Sequence, residues 1–225
     1  MAPRSAPVAA DRNRCRMSEP ARIGPNAILQ MMPVLERMAG PDGALRMLRQ
    51  AGVSALPDGT EMIPEGDAAR LHQWLRATMR EEAASMAHEA GEGTARYILA
   101  HRIPKPAQAL LRILPPELAA WSLSRAIAKH AWTFAGSGKF RVRSPWQFAI
   151  EDNPIVRGEQ NADCLCHWHA AVFERLYRDL VHPDVTCREI ACCAQPGQWA
   201  CVFALSRGNA GGEAFGARVT GKKKQ

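Results

Sequence analysis

Six of the seven cysteines lie between positions 164 and 201, among two histidines and a glutamate: Cys164, Cys166, His167, His169, Cys187, Glu189, Cys192, Cys193 and Cys201. Thiolate, imidazole and carboxylate in that density point to metal chemistry. Zinc takes four such ligands at about 2.0 to 2.3 Å. Cys166 from a helix, Glu189 and Cys193 from one strand, and Cys201 from the next strand supply a set of four. In a regular strand, residues 189 and 193 share a face, and Cys192 turns away unless a bulge exchanges the pair. The expected role is structural rather than catalytic. The competing reading is plain burial, since free cysteine packs as a small hydrophobe. An iron–sulfur cluster is disfavoured because cysteines repeated at three-residue steps are missing.

His167 and His169 flank Trp168. On a helix the two imidazoles diverge by about 200° and cannot share one ligand. One of them can coordinate the magnesium of a chlorin while the other caps or faces water; the plainer alternative is one packed and one surface imidazole. His88, His101 and His130 carry only the generic expectation of satisfied imidazoles. Met31, Met32, Met38, Met47 and Met79 suggest a soft apolar interior suited to a large flat ligand, although methionines are more often plain core.

Several cofactor motifs are missing. Gly91-Glu92-Gly93 lacks the third glycine of a dinucleotide turn and sits inside a helical pattern, so no nicotinamide or flavin motif is found. Gly138-Lys139 has no glycine five residues earlier and is no phosphate loop. Cys164-Leu-Cys166-His167 is one residue short of a covalent haem attachment. No motif supplies electrons.

The elements that must position these residues follow from periodicity. Residues 1–22 read as a disordered basic leader. Ile28, Met31, Met32, Leu35 and Met38 recur at helical steps and end at Gly40, and a second helix runs from Asp42 to Gln50. Asp67 is placed to cap a helix carrying Leu71, Trp74, Leu75 and Met79. A longer helix spans Glu81 to His101, and Gly91 and Gly93 in its middle imply close packing or a bend. After four prolines, Glu117 to Phe134 reads as one helix. Beyond Gly136-Ser-Gly138, alternation at Phe140, Val142, Trp146, Phe148 and Ile150 predicts a hairpin. Cys164 to Val181 is helical, with Cys166, Ala170, Phe173, Tyr177 and Leu180 on one stripe. Strands over Val185–Cys192 and Trp199–Leu205 close the pattern, and residues 207–225 form a basic flexible tail. The expectation is a single α+β domain over 23–206, with a helical amino half packed on an antiparallel sheet built as β-hairpin–helix–β-hairpin.

The net charge of +7 belongs to the two ends: residues 1–22 carry five arginines against two acids, residues 207–225 five basic groups against one, and the remainder balances at 19 and 19. Such tails attract any polyanion, lipid headgroups included, and no helix-turn-helix, finger or aromatic-basic RNA motif accompanies them, so nucleic acid is not expected as a partner. No apolar run reaches the roughly 18 to 20 residues of a membrane span. Without an apolar signal segment, and with an odd number of cysteines, the expected setting is the cytoplasm.

Cys166-His-Trp-His169, Ala-Val-Phe-Glu-Arg-Leu-Tyr-Arg after it, and Glu189-Ile-Ala-Cys-Cys-Ala-Gln-Pro-Gly-Gln-Trp-Ala-Cys-Val-Phe203 together resemble the bacteriochlorophyll 4-vinyl reductase family over roughly residues 25–206. Residues 138–206 resemble the wider 4-vinyl-reductase domain. The resemblance implies the α+β fold of haem nitric-oxide sensors and TRAPP subunits, an apolar ligand and a homodimer. It also implies a zinc held by Cys166, Glu189, Cys201 and one of Cys192 and Cys193, since one residue is inserted between the two spacings. The implied step is reduction of the 8-vinyl (4-vinyl) group of divinyl (proto)chlorophyllide. Because that reduction needs a hydride donor, the expectation is a protein that binds a Mg-porphyrin or chlorin and presents it to pathway enzymes, with His167, Trp168 and His169 as ligand contacts. The alternatives are the reductase itself, an oxidoreductase using a cofactor bound without a motif, and a zinc-containing sensor or interaction module. The implied location is the cytoplasm, peripheral to the photosynthetic membrane through the basic tails.

Overall fold

The computed structural model describes residues 21–53 and 55–208. The expected basic leader and tail lie outside the described residues, apart from their innermost two positions at each junction. The elements are β1 (Arg22–Ile23), α1 (Asn26–Leu29), α2 (Met32–Gln50), β2 (Ile63–Pro64), α3 (Glu65–Thr78), α4 (Ala83–His101), α5 (Lys105–Ile113), α6 (Pro116–Lys129), α7 (Trp132–Ala135), β3 (Lys139–Ser144), β4 (Gln147–Glu151), α8 (His167–Leu180), β5 (Val185–Ala191) and β6 (Ala200–Arg207). The architecture is α+β, as the periodicity predicts.

Four antiparallel strands lie in the order β3-β4-β6-β5, so the two carboxy-terminal hairpins meet along β4 and β6. One face of this sheet takes α8. Phe173 packs edge-on against Phe148 and Phe203, and Tyr177 against Phe148, with ring centroids 5.1, 5.2 and 5.9 Å apart. The stripe expected on this helix, Cys166 through Leu180, is buried along its length. α4 then crosses α8. Gly91 permits that crossing, because a Cβ there would stand 2.7 Å from the Ala171 Cβ and closer still to the Trp168 carbonyl. The two glycines inside α4 therefore mark close packing. At Gly93 the neighbour is the Gln30 side chain.

Four boundaries differ from the sequence reading. The first helical stretch breaks at Gln30 into α1 and α2, whereas α2 divides at Gly40, with φ of 69° and ψ of 171°, where the periodicity ends the first helix, and Pro41 opens the second segment. Asp67 lies in the first turn of α3 rather than at its cap, which is Pro64. The helix expected over Glu117–Phe134 divides at His130, and the short α7 follows. α8 begins at His167, with Cys166 in the N-cap position and the preceding residues in loop. Of the five methionines read as interior, Met31 and Met32 are buried, whereas Met38 is 48% exposed.

A network centred on one buried carboxylate joins the halves. The Glu65 carboxylate at the start of α3 accepts from the Ser137 N–H and hydroxyl at 2.7 Å each, and from Arg157 at 2.9 Å. That ties the first turn of α3 to the loop entering β3.

Candidate metal centre and apolar cavity

The sulfur-rich corner forms where the N-terminus of α8 meets the β5–β6 hairpin. Sequence regularity alone turns Cys192 away from Glu189. The register of β5 on β6 shifts between Glu189 and Ala191, so Ile190 is an extra residue and projects to solvent. This bulge changes the phase of everything after it. Cys192, three residues beyond Glu189, returns to the face that Glu189 occupies.

The result is a four-residue cluster of Cys166, Glu189, Cys192 and Cys201, whose ligand atoms all lie within 4.8 Å of one another. The Sγ of Cys201 is 3.3 Å from that of Cys166 and 3.8 Å from that of Cys192. A tetrahedral ion bound to thiolates at about 2.3 Å sets neighbouring sulfurs roughly 3.8 Å apart, so the spacing suits zinc. Cys193 is outside the group. Its own Sγ is directed to the Ile150 carbonyl at 3.8 Å, while its backbone N–H donates to the Cys201 sulfur at 3.4 Å. Cys164 and Cys187 also lie outside.

Two observations favour a cation here. Glu189 Oε2 accepts from the Cys166 N–H at 2.7 Å, yet Oε1 is buried with no hydrogen-bond partner. Orphaned buried acceptors of this kind are costly unless something positive meets them. The charge states agree. Burial pushes the Glu189 carboxyl up to about 8, with the Cys192 sulfur adding to the rise. Burial raises the Cys166 thiol well above its ordinary value, and the Cys166 sulfur beside Cys201 raises that thiol too. Hydrogen bonding with Cys166 and Cys201 instead lowers Cys192 from the ordinary thiol value. A divalent cation would stabilise the deprotonated form of all four groups.

Supporting contacts come from residues that sequence reading did not single out. The fully buried Asn153 donates through Nδ2 to the Cys166 sulfur at 3.3 Å, and its Oδ1 accepts from the Ile155 N–H. Gln195 accepts from the Cys192 N–H at 2.9 Å. Asn153-Pro154 reads in sequence only as a turn.

A cavity of about 660 Å³ lies beside the cluster's helix, enclosed by α4, α6, α7 and α8 with the segments around 24–27 and 59–62. This volume falls inside the ordinary range of roughly 300 to 1,000 Å³ for small-molecule sites. Its walls are mainly apolar, among them Ile98, Leu123, Ile127, Val172, Phe173 and Leu176. Trp168 lines it as well, and its indole N–H donates to the Thr94 hydroxyl at 3.1 Å.

His167 and His169 do not line this cavity. His169 is buried beside Phe173 and Phe203, with Nε2 3.1 Å from the Phe134 carbonyl and Nδ1 without a partner. His167 is half-buried at the first turn of α8. The imidazoles on the cavity are His101, closing α4 and stacked on Tyr97, and His130, at the C-cap of α6. Nothing in their local sequence distinguishes them; only the placing of α4 and α6 around one cavity brings both to it.

Comparison with known proteins bears on the fold and the family. The V4R domain is matched over residues 146–207. A solved structure from work on heme distortion in the H-NOX family superposes with a TM-score of 0.51 at 9% identity, covering 87% of this chain and 100% of that one. The likeness shows that the fold is the H-NOX fold. The "Bacteriochlorophyll synthase 23 kDa chain" of Cereibacter sphaeroides is 56% identical over 82% of this chain and 90% of its own length. The protein of the same name from Rhodobacter capsulatus is 48% identical over 82% and 86%. With identity of that order along nearly the whole length of both relatives, the chain belongs to the family of the bacteriochlorophyll synthase 23 kDa chains.

Proposed function

We propose that this protein acts in bacteriochlorophyll synthesis by holding a magnesium tetrapyrrole in the cavity and presenting it for reduction of the 8-vinyl group. Family membership supports the pathway. The observation that carries the binding role is the cavity: about 660 Å³, mainly apolar walls that include Trp168, and two imidazoles, His101 and His130, on its lining. Magnesium in a chlorin takes a nitrogen ligand from the open side, and His101 and His130 are the side chains on this cavity that offer one. Arg102 on the same lining suits the propionate of an unesterified pigment.

Cys166, Glu189, Cys192 and Cys201 would hold a zinc ion. Such an ion, held by four protein ligands, would be closed to substrate and would supply folding energy rather than catalysis. It would fix the N-terminus of α8, the helix that carries Trp168, Phe173 and Leu176 to the cavity wall.

The name of the relatives supports a pathway enzyme as partner, since a chain of a synthase works with other chains. The test is titration of the purified protein with magnesium protoporphyrin and with divinyl protochlorophyllide. A saturable absorbance shift at one equivalent is expected, and its absence overturns the binding role. Adding NADPH or reduced ferredoxin, with no other protein, is expected to leave the vinyl group intact. Turnover under those conditions would make the chain the reductase.

A further inference from the structure

The charge balance of residues 23–206 conceals a division. Residues 101–145 carry eight basic groups and one acid, Glu117, whereas the rest of that range carries 11 basic and 18 acidic groups. The segment comprises α5, α6, α7 and the edge strand β3. Its one carboxylate is engaged, accepting from the Trp146 indole at 2.6 Å and from Arg207 at 3.1 Å. Among the described residues, Arg102, Lys105, Arg112, Arg125, Lys129 and Arg143 make no ion pair.

The same segment turns apolar side chains outward. On α5, Pro106, Ala109, Leu110 and Ile113 recur at three- and four-residue steps and are exposed, while the polar Gln108 is buried and donates to the Leu99 and Ile103 carbonyls. The helix is amphipathic with its apolar stripe toward solvent. Ile113 is 79% exposed and Leu110 55%. Leu118 and Trp121 continue the patch onto α6, where the Arg125 guanidinium sits 4.2 Å from the Trp121 ring centroid. Val142 and Arg143 of β3 adjoin Trp121 and Arg125 across a shallow groove.

We propose that the α5–α6–β3 face is a docking surface for an anionic lipid bilayer. An outward apolar stripe with a tryptophan, rimmed by unpaired cations, is the arrangement that seats a helix among headgroups, with its apolar side chains at the acyl boundary and its cations on phosphate. A second copy of this chain fits poorly. A two-fold interface sets each patch against itself, here eight cations against eight. No described helix is long and apolar enough to cross a membrane. Arg102, Ile103, His130 and Trp132 belong both to this segment and to the cavity lining, so docking turns the cavity's opening toward the bilayer. The surface stands whether or not the cavity takes a pigment.

The test is cosedimentation of the full chain with pigment-free vesicles of phosphatidylcholine, with and without phosphatidylglycerol. Binding is expected only to the anionic vesicles, and to fall about tenfold or more in I113S/W121S and in K105E/R125E/R143E, with circular dichroism and thermal midpoint unchanged. Failure to bind anionic vesicles overturns the proposal. So does binding that survives both variants and disappears when Lys222, Lys223 and Lys224 become serine, which assigns it to the tail. A dimer that I113S/W121S splits makes the face a self-interface and overturns it equally.

Discussion

Gly91 of α4 lies against the main chain of Trp168, the second residue of α8. The contact sets how closely α4 approaches the helix that bears both a cluster ligand at its cap and the cavity's aromatic wall. A methyl group at position 91 meets the Trp168 carbonyl and the Ala171 Cβ, neither of which is the end of a flexible side chain. Gly91→Ala is therefore expected to destabilise the protein by about 1 to 3 kcal/mol, despite alanine's better helix propensity. Denaturant unfolding measures it. A neutral or stabilising result would show that the two helices separate freely.

The cluster predicts an asymmetry between adjacent cysteines. Cys192→Ser, Cys201→Ser, Cys166→Ser and Glu189→Gln are each expected to lower bound zinc well below one equivalent in the purified protein. Cys193→Ser is expected to retain it, because Cys193 lies outside the four-residue group and the backbone N–H it gives to the Cys201 sulfur survives the substitution. Elemental analysis reads this directly. A chelator is expected to lower the thermal midpoint of the parent protein and not that of Cys201→Ser. Metal lost from Cys193→Ser and kept in Cys192→Ser would reverse the assignment.

The distinction between those two cysteines shows where sequence stops being legible. Residue types pointed to a corner that could hold a metal, and the structure brings Cys166, Glu189 and Cys201 together there. Which of the paired cysteines joins them depends on the phase of β5. Phase is set by whether Ile190 pairs, and its partner strand is recruited through β4, some fifty residues away. The helices and hairpins were readable for the opposite reason: their periodicities are local, as at Phe140 to Ile150 and along α8. The cavity was not readable. Its imidazoles close two separate helices, and no local pattern says that α4 and α6 enclose a space. Trp168 was named for its place in Cys-His-Trp-His and does reach the cavity, while the histidines on either side point elsewhere.

Acid is expected to weaken the fold through His72. This imidazole is fully buried on α3, with Nε2 3.1 Å from the Ala27 carbonyl and its ring 5.8 Å from that of Trp168. Burial, with Arg76 adding to it, depresses its pKa from 6.5 to about 3. Between those values the unfolded chain holds a proton that the folded chain refuses. The contribution to stability is therefore complete above about pH 6.5 and lost progressively as pH falls toward 3, amounting to about 2 kcal/mol at pH 5. Denaturant unfolding at pH 7.5 and pH 5 gives the difference, and His72→Gln is expected to shrink it by about that amount. An unchanged pH dependence in the variant would assign the acid sensitivity to other groups.

Pigment binding is expected to respond to the cavity's rim in two separable ways. Ala126 lines the cavity from an exposed position on α6, so Ala126→Trp adds bulk at the opening without overpacking the core. Affinity for magnesium protoporphyrin is expected to fall about tenfold or more while the thermal midpoint holds. Substitution of an imidazole acts on the metal instead. Whichever of His101→Ala and His130→Ala removes the axial nitrogen is expected to abolish the shift of the absorbance maximum with magnesium protoporphyrin, yet leave weaker binding of the metal-free ring largely intact, because the apolar walls remain. Comparing the two ligands on the same variant therefore separates coordination from burial. If neither histidine matters for the magnesium complex while Ala126→Trp still blocks it, the macrocycle enters this cavity without a protein nitrogen on its metal. Should Ala126→Trp bind as tightly as the parent protein, the pigment sits elsewhere on the molecule.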